Sequence, residues 1–205
     1  MAMVSKISLA TLMTSVVLLA GVSIAGPSRK APVPPGPKRY LPEYTANGDL
    51  VLPKGFHEWV YVGSPLTPNA LNGGKANFPE YHNVYIEPGS YRIYKKTGVF
   101  PEGTIMFKEL QLTLPAQNPD GSRTEPSGRG YFPGPLNGAD VTVKDSKRFA
   151  ATGGWGYFNF HHYEPKAMTA TVKKKEECSF CHEASAKKDS VWTQFYPILD
   201  NPKLD

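Results

Sequence analysis

Cysteine is nearly missing from these 205 residues: there are only two, and both stand in the pentapeptide Cys178-Ser179-Phe180-Cys181-His182. A scaffold stapled by disulfides is therefore excluded. So is a closed four-ligand zinc site, for which a second pair of thiols is lacking. Histidine is scarce, with five residues, and between His182 and Asp205 there is neither another histidine nor a methionine. Charge of one sign is also lacking over most of the length. The formal net charge is +5, but Lys6, Arg29, Lys30, Lys38 and Arg39 all precede the first acidic residue, Glu43. Residues 43–205 are thus formally neutral, and no basic face for nucleic acid is implied. No internal repeat is present.

What is there begins with that pentapeptide. Two thiols separated by two residues and followed by an imidazole form the spacing that attaches a c-type haem: the thiols add to the vinyl groups and the histidine ligates the iron. A chance pair, or a redox dithiol beside an incidental histidine, is the alternative. The haem assignment accounts for both cysteines and leaves none over. With no methionine downstream, the far side of the haem must be built from residues upstream, which disfavours a plain electron carrier with two strong axial ligands.

The start of the chain reads as a secretory signal. Lys6 supplies the positive end, Ile7 to Ala20 the apolar stretch, and Ser23-Ile24-Ala25 a small-residue cleavage site. As a membrane anchor the run is barely long enough and is interrupted by Ser and Thr. The expected organisation is a signal peptide over 1–25, a Pro-rich tail or linker over 26–46, and a single haem-binding domain over 47–205. The expected compartment is the periplasm, since c-type haem is attached outside the cytoplasm.

Patterning points to a mainly β (α+β) fold, an antiparallel β-sheet with a few helices, the C-terminal helix carrying the haem-attachment motif. Leu50–Leu52 and Trp59–Val62 flank a turn at Pro53-Lys54-Gly55. Val84–Ile86 and Tyr91–Tyr94 read as short strands separated by Pro88-Gly89, and residues 115–139, dense in Pro and Gly, as a long loop. Thr104–Leu114 alternates, with Met106, Lys108, Leu110 and Leu112 on one face, so a lysine falls where burial is expected. A lysine at a sheet edge that snorkels to water is the ordinary alternative. Asp140 likewise enters an apolar strand, Gly138–Val143. Trp155–Tyr163 is an aromatic strand holding His161-His162. Glu176–Lys187 is expected to be helical around the motif. Asp189 is a plausible N-cap for a helix over Val191–Leu199, whose Val191, Trp192, Phe195 and Tyr196 should pack on the haem region.

With the terminal Cys-x-x-Cys-His, Lys108 in Met-Phe-Lys-Glu-Leu, Leu52-Pro53-Lys54, Glu58-Trp59-Val60, Gly130-Tyr131-Phe132, Val143-Lys144-Asp145-Ser146 and Phe195-Tyr196-Pro197, the chain resembles the cytochrome P-460 family from about residue 47 to 200. The resemblance implies a periplasmic, usually homodimeric haem enzyme of mainly antiparallel β fold that oxidises hydroxylamine, with nitrous oxide among the products. A small periplasmic cytochrome c is the implied electron acceptor. It also implies a third covalent attachment, from the Lys108 side-chain nitrogen to a meso carbon of the porphyrin. A free ammonium, of pKa about 10.4, is no nucleophile, but desolvation favours the neutral amine.

By the same resemblance Asp140 stands where the family places a distal carboxylate, a base for the protons hydroxylamine loses. It is one methylene shorter than the Glu also found there. His82 falls where a relative carries Arg near the pocket mouth, as a proton relay or an ordinary surface histidine. His57, His161 and His162 are given no role, a sixth iron ligand being the functional alternative. Relatives with an apolar distal face and no lysine link bind nitric oxide instead; Lys108 and Asp140 argue against that class.

Overall fold

The computed structural model describes residues 39–162 and 167–202. The expected signal peptide, the tail through Lys38 and the last strand residue, Tyr163, lie outside the described residues. In chain order the strands are β1 (Leu50–Val51), β2 (Val60–Gly63), β3 (Glu80–Ile86), β4 (Ile105–Thr113), β5 (Arg123–Glu125), β6 (Gly128–Gly130), β7 (Pro133–Lys144), β8 (Trp155–His162) and β9 (Thr169–Ala170). The α-helices are α1 (Pro88–Thr97), α2 (Phe180–Ser185) and α3 (Pro197–Asp200). The main sheet runs β2-β3-β4-β7-β8, every pair antiparallel, with β1-β9 and β5-β6 as small accessory pairs. The fold is mainly antiparallel β with few helices, as the patterning suggested.

The sheet is buried on both faces, which is why β4 opens on the unbroken apolar run Ile105-Met106-Phe107. Met106 packs with Val84, Ile86, Trp155 and Tyr157 on one side, beneath α1 and the C-terminal segment. Ile105 and Phe107 pack with Val141, Val143, Phe158 and Phe160 on the other, covered by Leu50 and Phe149, with Tyr44 and Trp59 alongside. Each such side chain taken from water contributes roughly 2 kcal/mol.

Three segments differ from the sequence expectation. Tyr91–Tyr94 lies in a helix. Pro88 does end β3, but as the first residue of α1 it also starts a helix, where its missing N–H costs nothing. The Glu87 carboxylate accepts from the Gly89 and Ser90 amides at 2.8 and 2.6 Å, and Gly98 stops the helix at φ 72°. Residues 115–139 are not one loop: they contain the β5-β6 hairpin and the start of β7, whose Pro133 sits at the strand's first position, where proline is tolerated.

Nor does one helix run over Val191–Leu199. A short 3₁₀ turn, Thr193–Phe195, is followed by α3, because Tyr196 precedes Pro197 and is forced to an extended ψ of 89°. Asp189 does not cap it; its carboxylate is bound by Lys144.

Strand register sets the functional face. Val84, Lys108, Asp140 and Asn159 form one rung across β3-β4-β7-β8, and His82, Leu110, Gly138 and His162 form the next. Between these rungs β7 advances two residues and β8 three. The extra residue is His161, a left-handed bulge at φ 66°. Gly138 permits it. At φ 122° it passes so close that a Cβ would lie 1.9 Å from the His161 carbonyl oxygen. The bulge turns His162, rather than His161, toward the face that carries Asn159.

Candidate functional site

A cavity of about 530 Å³ lies between that sheet face and the C-terminal segment, and His82, Lys108, Asp140, Cys178, Cys181 and His182 all line it. Three of these six, His82, Lys108 and Asp140, lie far in sequence from the motif and from each other; the register of three strands and the return of the C-terminus assemble them.

The motif begins in a π-helical turn, Lys175–Ser179, and continues into α2. Both thiols are free, Cys178 half-buried and Cys181 exposed. Burial, with the charge of Asp140, pushes the Cys178 thiol upward, so it rests as a thiol. The His182 ring packs against Tyr157 and Trp192, at centroid distances of 4.7 and 5.3 Å. Its Nδ1 lies 3.0 Å from the Ser190 carbonyl. That contact assigns the proton to Nδ1 and leaves the Nε2 lone pair as the metal-binding atom. Burial first, and the Lys108 charge after it, push this imidazole down toward the neutral form a ligand needs, against the pull of the Ser190 carbonyl.

The Ser190 carbonyl is held in place by an unusual turn. Asp189 and Ser190 are both left-handed, at φ 47° and 56°, a conformation costly for residues with a side chain. Lys144 Nζ grips both Asp189 carboxylate oxygens, at 2.7 and 2.9 Å, while lying 5.3 Å over the Trp155 ring.

On the sheet wall, Lys108 occupies β4, the central strand of five, so a lysine at a sheet edge is ruled out. Its ammonium meets Asp140 at 2.7 Å and lies 4.8 Å from the centre of the Phe78 ring. Asn159 donates to the other Asp140 oxygen at 2.6 Å. Burial alone would raise the Asp140 carboxyl, but the Lys108 charge, the hydrogen bonds from Lys108 and Asn159, and the nearby His162 ring hold it well below the usual carboxylate range. His82 is pushed down to about 3, mainly by burial and next by Lys108.

His57 is remote from these groups and pairs with Glu109 at 2.9 Å. His161 points outward and is exposed. His162 does reach the site, with Nε2 3.7 Å from Asp140, and was overlooked because strict alternation puts it on the opposite face. Glu80, fully buried behind the wall, was likewise overlooked, as a lone carboxylate at a strand start carries no signal of its own.

The residues fit a covalently held haem. Two unpaired thiols and an imidazole whose Nε2 lone pair accepts only a long hydrogen bond from Trp192 Nε1, at 3.4 Å, line one wall of an apolar cavity of cofactor size. Among the described residues no group of three or more His, Cys, Asp and Glu side chains could hold a metal ion by itself.

A β-sheet walling a cavity that presents paired thiols and an imidazole defines a c-type haem protein unlike the helical cytochromes. The Cytochrome P460 family model matches residues 53–193, and the chain belongs to that family, a cytochrome with haem c and its iron. No curated protein matches the chain.

Proposed function

We propose that this protein is a periplasmic, homodimeric enzyme that oxidises hydroxylamine, with nitrous oxide among the products, and passes the electrons to a small cytochrome c. The observation that carries it is the Lys108–Asp140 pair, a cation and a carboxylate 2.7 Å apart on the wall facing the haem motif. The haem, when bound, would supply the first acceptor for the electrons. Cys178 and Cys181 would hold it through thioethers, His182 would ligate its iron, and the Lys108 nitrogen would form the third link.

Asp140 does the proton work. Oxidation removes N–H and O–H protons as electrons leave, and a carboxylate in the cavity accepts them, help commonly worth about 10² to 10⁴ in rate. Asn159 fixes one carboxylate oxygen, so the other, now on Lys108, is the one that turns toward substrate. A Lys108 nitrogen bonded to the porphyrin would no longer offer a full ammonium charge. The chief influence holding Asp140 down would then be removed, and burial would lift it toward useful basicity. His82, at the cavity edge and neutral, can take a proton onward.

Nitric-oxide binding without turnover is the competing function, favoured by the apolar lining of Val84, Met106 and Trp155; the ion pair weighs against it. Asp140→Asn keeps size and removes basicity. In stopped-flow kinetics the variant should bind hydroxylamine with unchanged affinity and oxidise it at least ~100-fold more slowly. Turnover at the wild-type rate would dismiss Asp140 as the base. Failure of the wild-type protein to oxidise hydroxylamine, with nitric oxide bound tightly, would establish the binding function instead.

A further inference from the structure

Behind the cavity wall, Glu80 opens β3 with its side chain wholly buried. One oxygen accepts from Asn137 at 2.8 Å; the other, Oε1, has no hydrogen-bond partner. Among the described residues no Lys or Arg pairs with it. The titratable groups that face it are His82 on its own strand, Nε2 at 4.0 Å, and His162 on β8, Nδ1 at 3.8 Å. Asn137, on β7, is neutral. The His82 Nε2 is itself buried and without a partner. Beyond His162, its Nε2 lies 3.7 Å from Asp140, which in turn pairs with Lys108.

A carboxylate taken from water without a cation is costly by several kcal/mol. A proton brought to Glu80 would relieve that cost, so the buried, unpartnered Oε1 is a ready acceptor. His82 is held neutral by burial and by Lys108, which leaves His162 as the imidazole that can bring one from Asp140. The two nitrogens of His162 face two different carboxylates, Nδ1 toward Glu80 and Nε2 toward Asp140. Small rotations of the imidazole bring either contact to hydrogen-bond length.

We propose that Glu80 and His162 form a buried proton store that empties Asp140 between turnovers. This rests on Asp140 being the base in hydroxylamine oxidation. Asp140 gives the substrate's proton to Nε2 of His162 as His162 gives its Nδ1 proton to Glu80; one O–H or N–H bond forms for each that breaks, and no electron moves. Neither residue touches substrate, so both act through Asp140. The partly exposed rings of His162 and His82 connect the store to solvent.

The test uses the holoprotein with Glu80→Gln, which keeps the shape and the Asn137 contact but cannot titrate, and His162→Gln, a less buried change that guards against loss of folding. Two measurements are made: turnover of hydroxylamine against pH in water and deuterium oxide, and the infrared difference spectrum on reduction of the haem. The expected result for both variants is a turnover at least tenfold lower with unchanged half-saturation by hydroxylamine, and partial rescue by added imidazole. The solvent isotope effect should be larger. The wild-type infrared spectrum should show a deuterium-sensitive carboxylic acid band that Glu80→Gln lacks. Wild-type rates, pH profile and infrared band in both variants would overturn the store. A wild-type protein that does not oxidise hydroxylamine but shows the Glu80 band overturns the proposed function and keeps the store.

Discussion

His82 and Asp140 are both displaced below their ordinary ranges, and both cost the fold stability in acid, in different pH windows. The folded protein holds His82 down to about 3 from 6.5. Between those values the unfolded chain binds a proton that the native chain refuses, so stability falls as pH drops through that window. Asp140 is depressed from 3.8, so its stabilisation is complete above that value and is lost only at still lower pH. From pH 7 to 5 only His82 of these two acts, and its share of the loss is about 2 kcal/mol. Urea unfolding of His82→Gln at the two pH values should show that share missing, while the loss below pH 4 persists. At this scale the sequence was partly legible. Cys178, Cys181 and His182 were readable from spacing, and Lys108 and Asp140 as polar residues breaking an apolar pattern. His162 was not, because its facing depends on a single left-handed residue, His161, opposite Gly138.

Among the elements, the turn that joins α2 to the C-terminal 3₁₀ segment is the one whose cost must be explained. Two adjacent left-handed residues, Asp189 and Ser190, cost about 1 to 3 kcal/mol each, offset by the grip of Lys144 on Asp189. Its product is a carbonyl aimed at His182 Nδ1. A histidine that donates from Nδ1 is a stronger ligand and favours the ferric state. Lys144→Met should therefore leave the haem attached, raise its reduction potential by tens of millivolts and lower the iron–histidine stretching frequency of the ferrous form. Lys144→Arg, which keeps the cation, should restore much of both. An unchanged potential in Lys144→Met would mean that the turn holds without its clamp. None of this was visible in the sequence, where Asp189 followed by an apolar stretch imitates a helix cap. Tyr91 and Tyr94 misled for a related reason: tyrosine favours strands, yet Glu87 and Pro88 before them and Gly98 after them specify a helix.

At the largest scale, the described residues form a five-stranded sheet facing a segment with little regular structure of its own. Leu199 and Tyr196 are anchored in the core, and the Tyr94 hydroxyl donates to the Leu199 carbonyl at 2.8 Å, but the haem motif between Lys175 and Ser185 presents mostly exposed residues. Proteolysis of the holoprotein should give a haem that carries the peptide around Lys108 as well as the peptide of Cys178 and Cys181. Haem recovered on the Cys-x-x-Cys-His peptide alone would show that the third link is not made. Lys108→Arg, which retains a cation opposite Asp140, should give that single-peptide product.

The place of Lys108 on the central strand, across the cavity from Cys178, has a mechanical meaning as well as a chemical one. A macrocycle bonded at both walls is a cross-brace. With the proposed lysine link made, it would tie the middle of the chain to its end and close a loop of about 70 residues, as a disulfide would in a chain that has none to spare. Restricting the unfolded chain in this way is worth about 4 kcal/mol on the loop-entropy scale, with no contact added to the folded state. The braced protein should refold after heating as a chain already pinned between its middle and its end, and Lys108→Arg, held by its thioethers alone, should melt at a lower temperature.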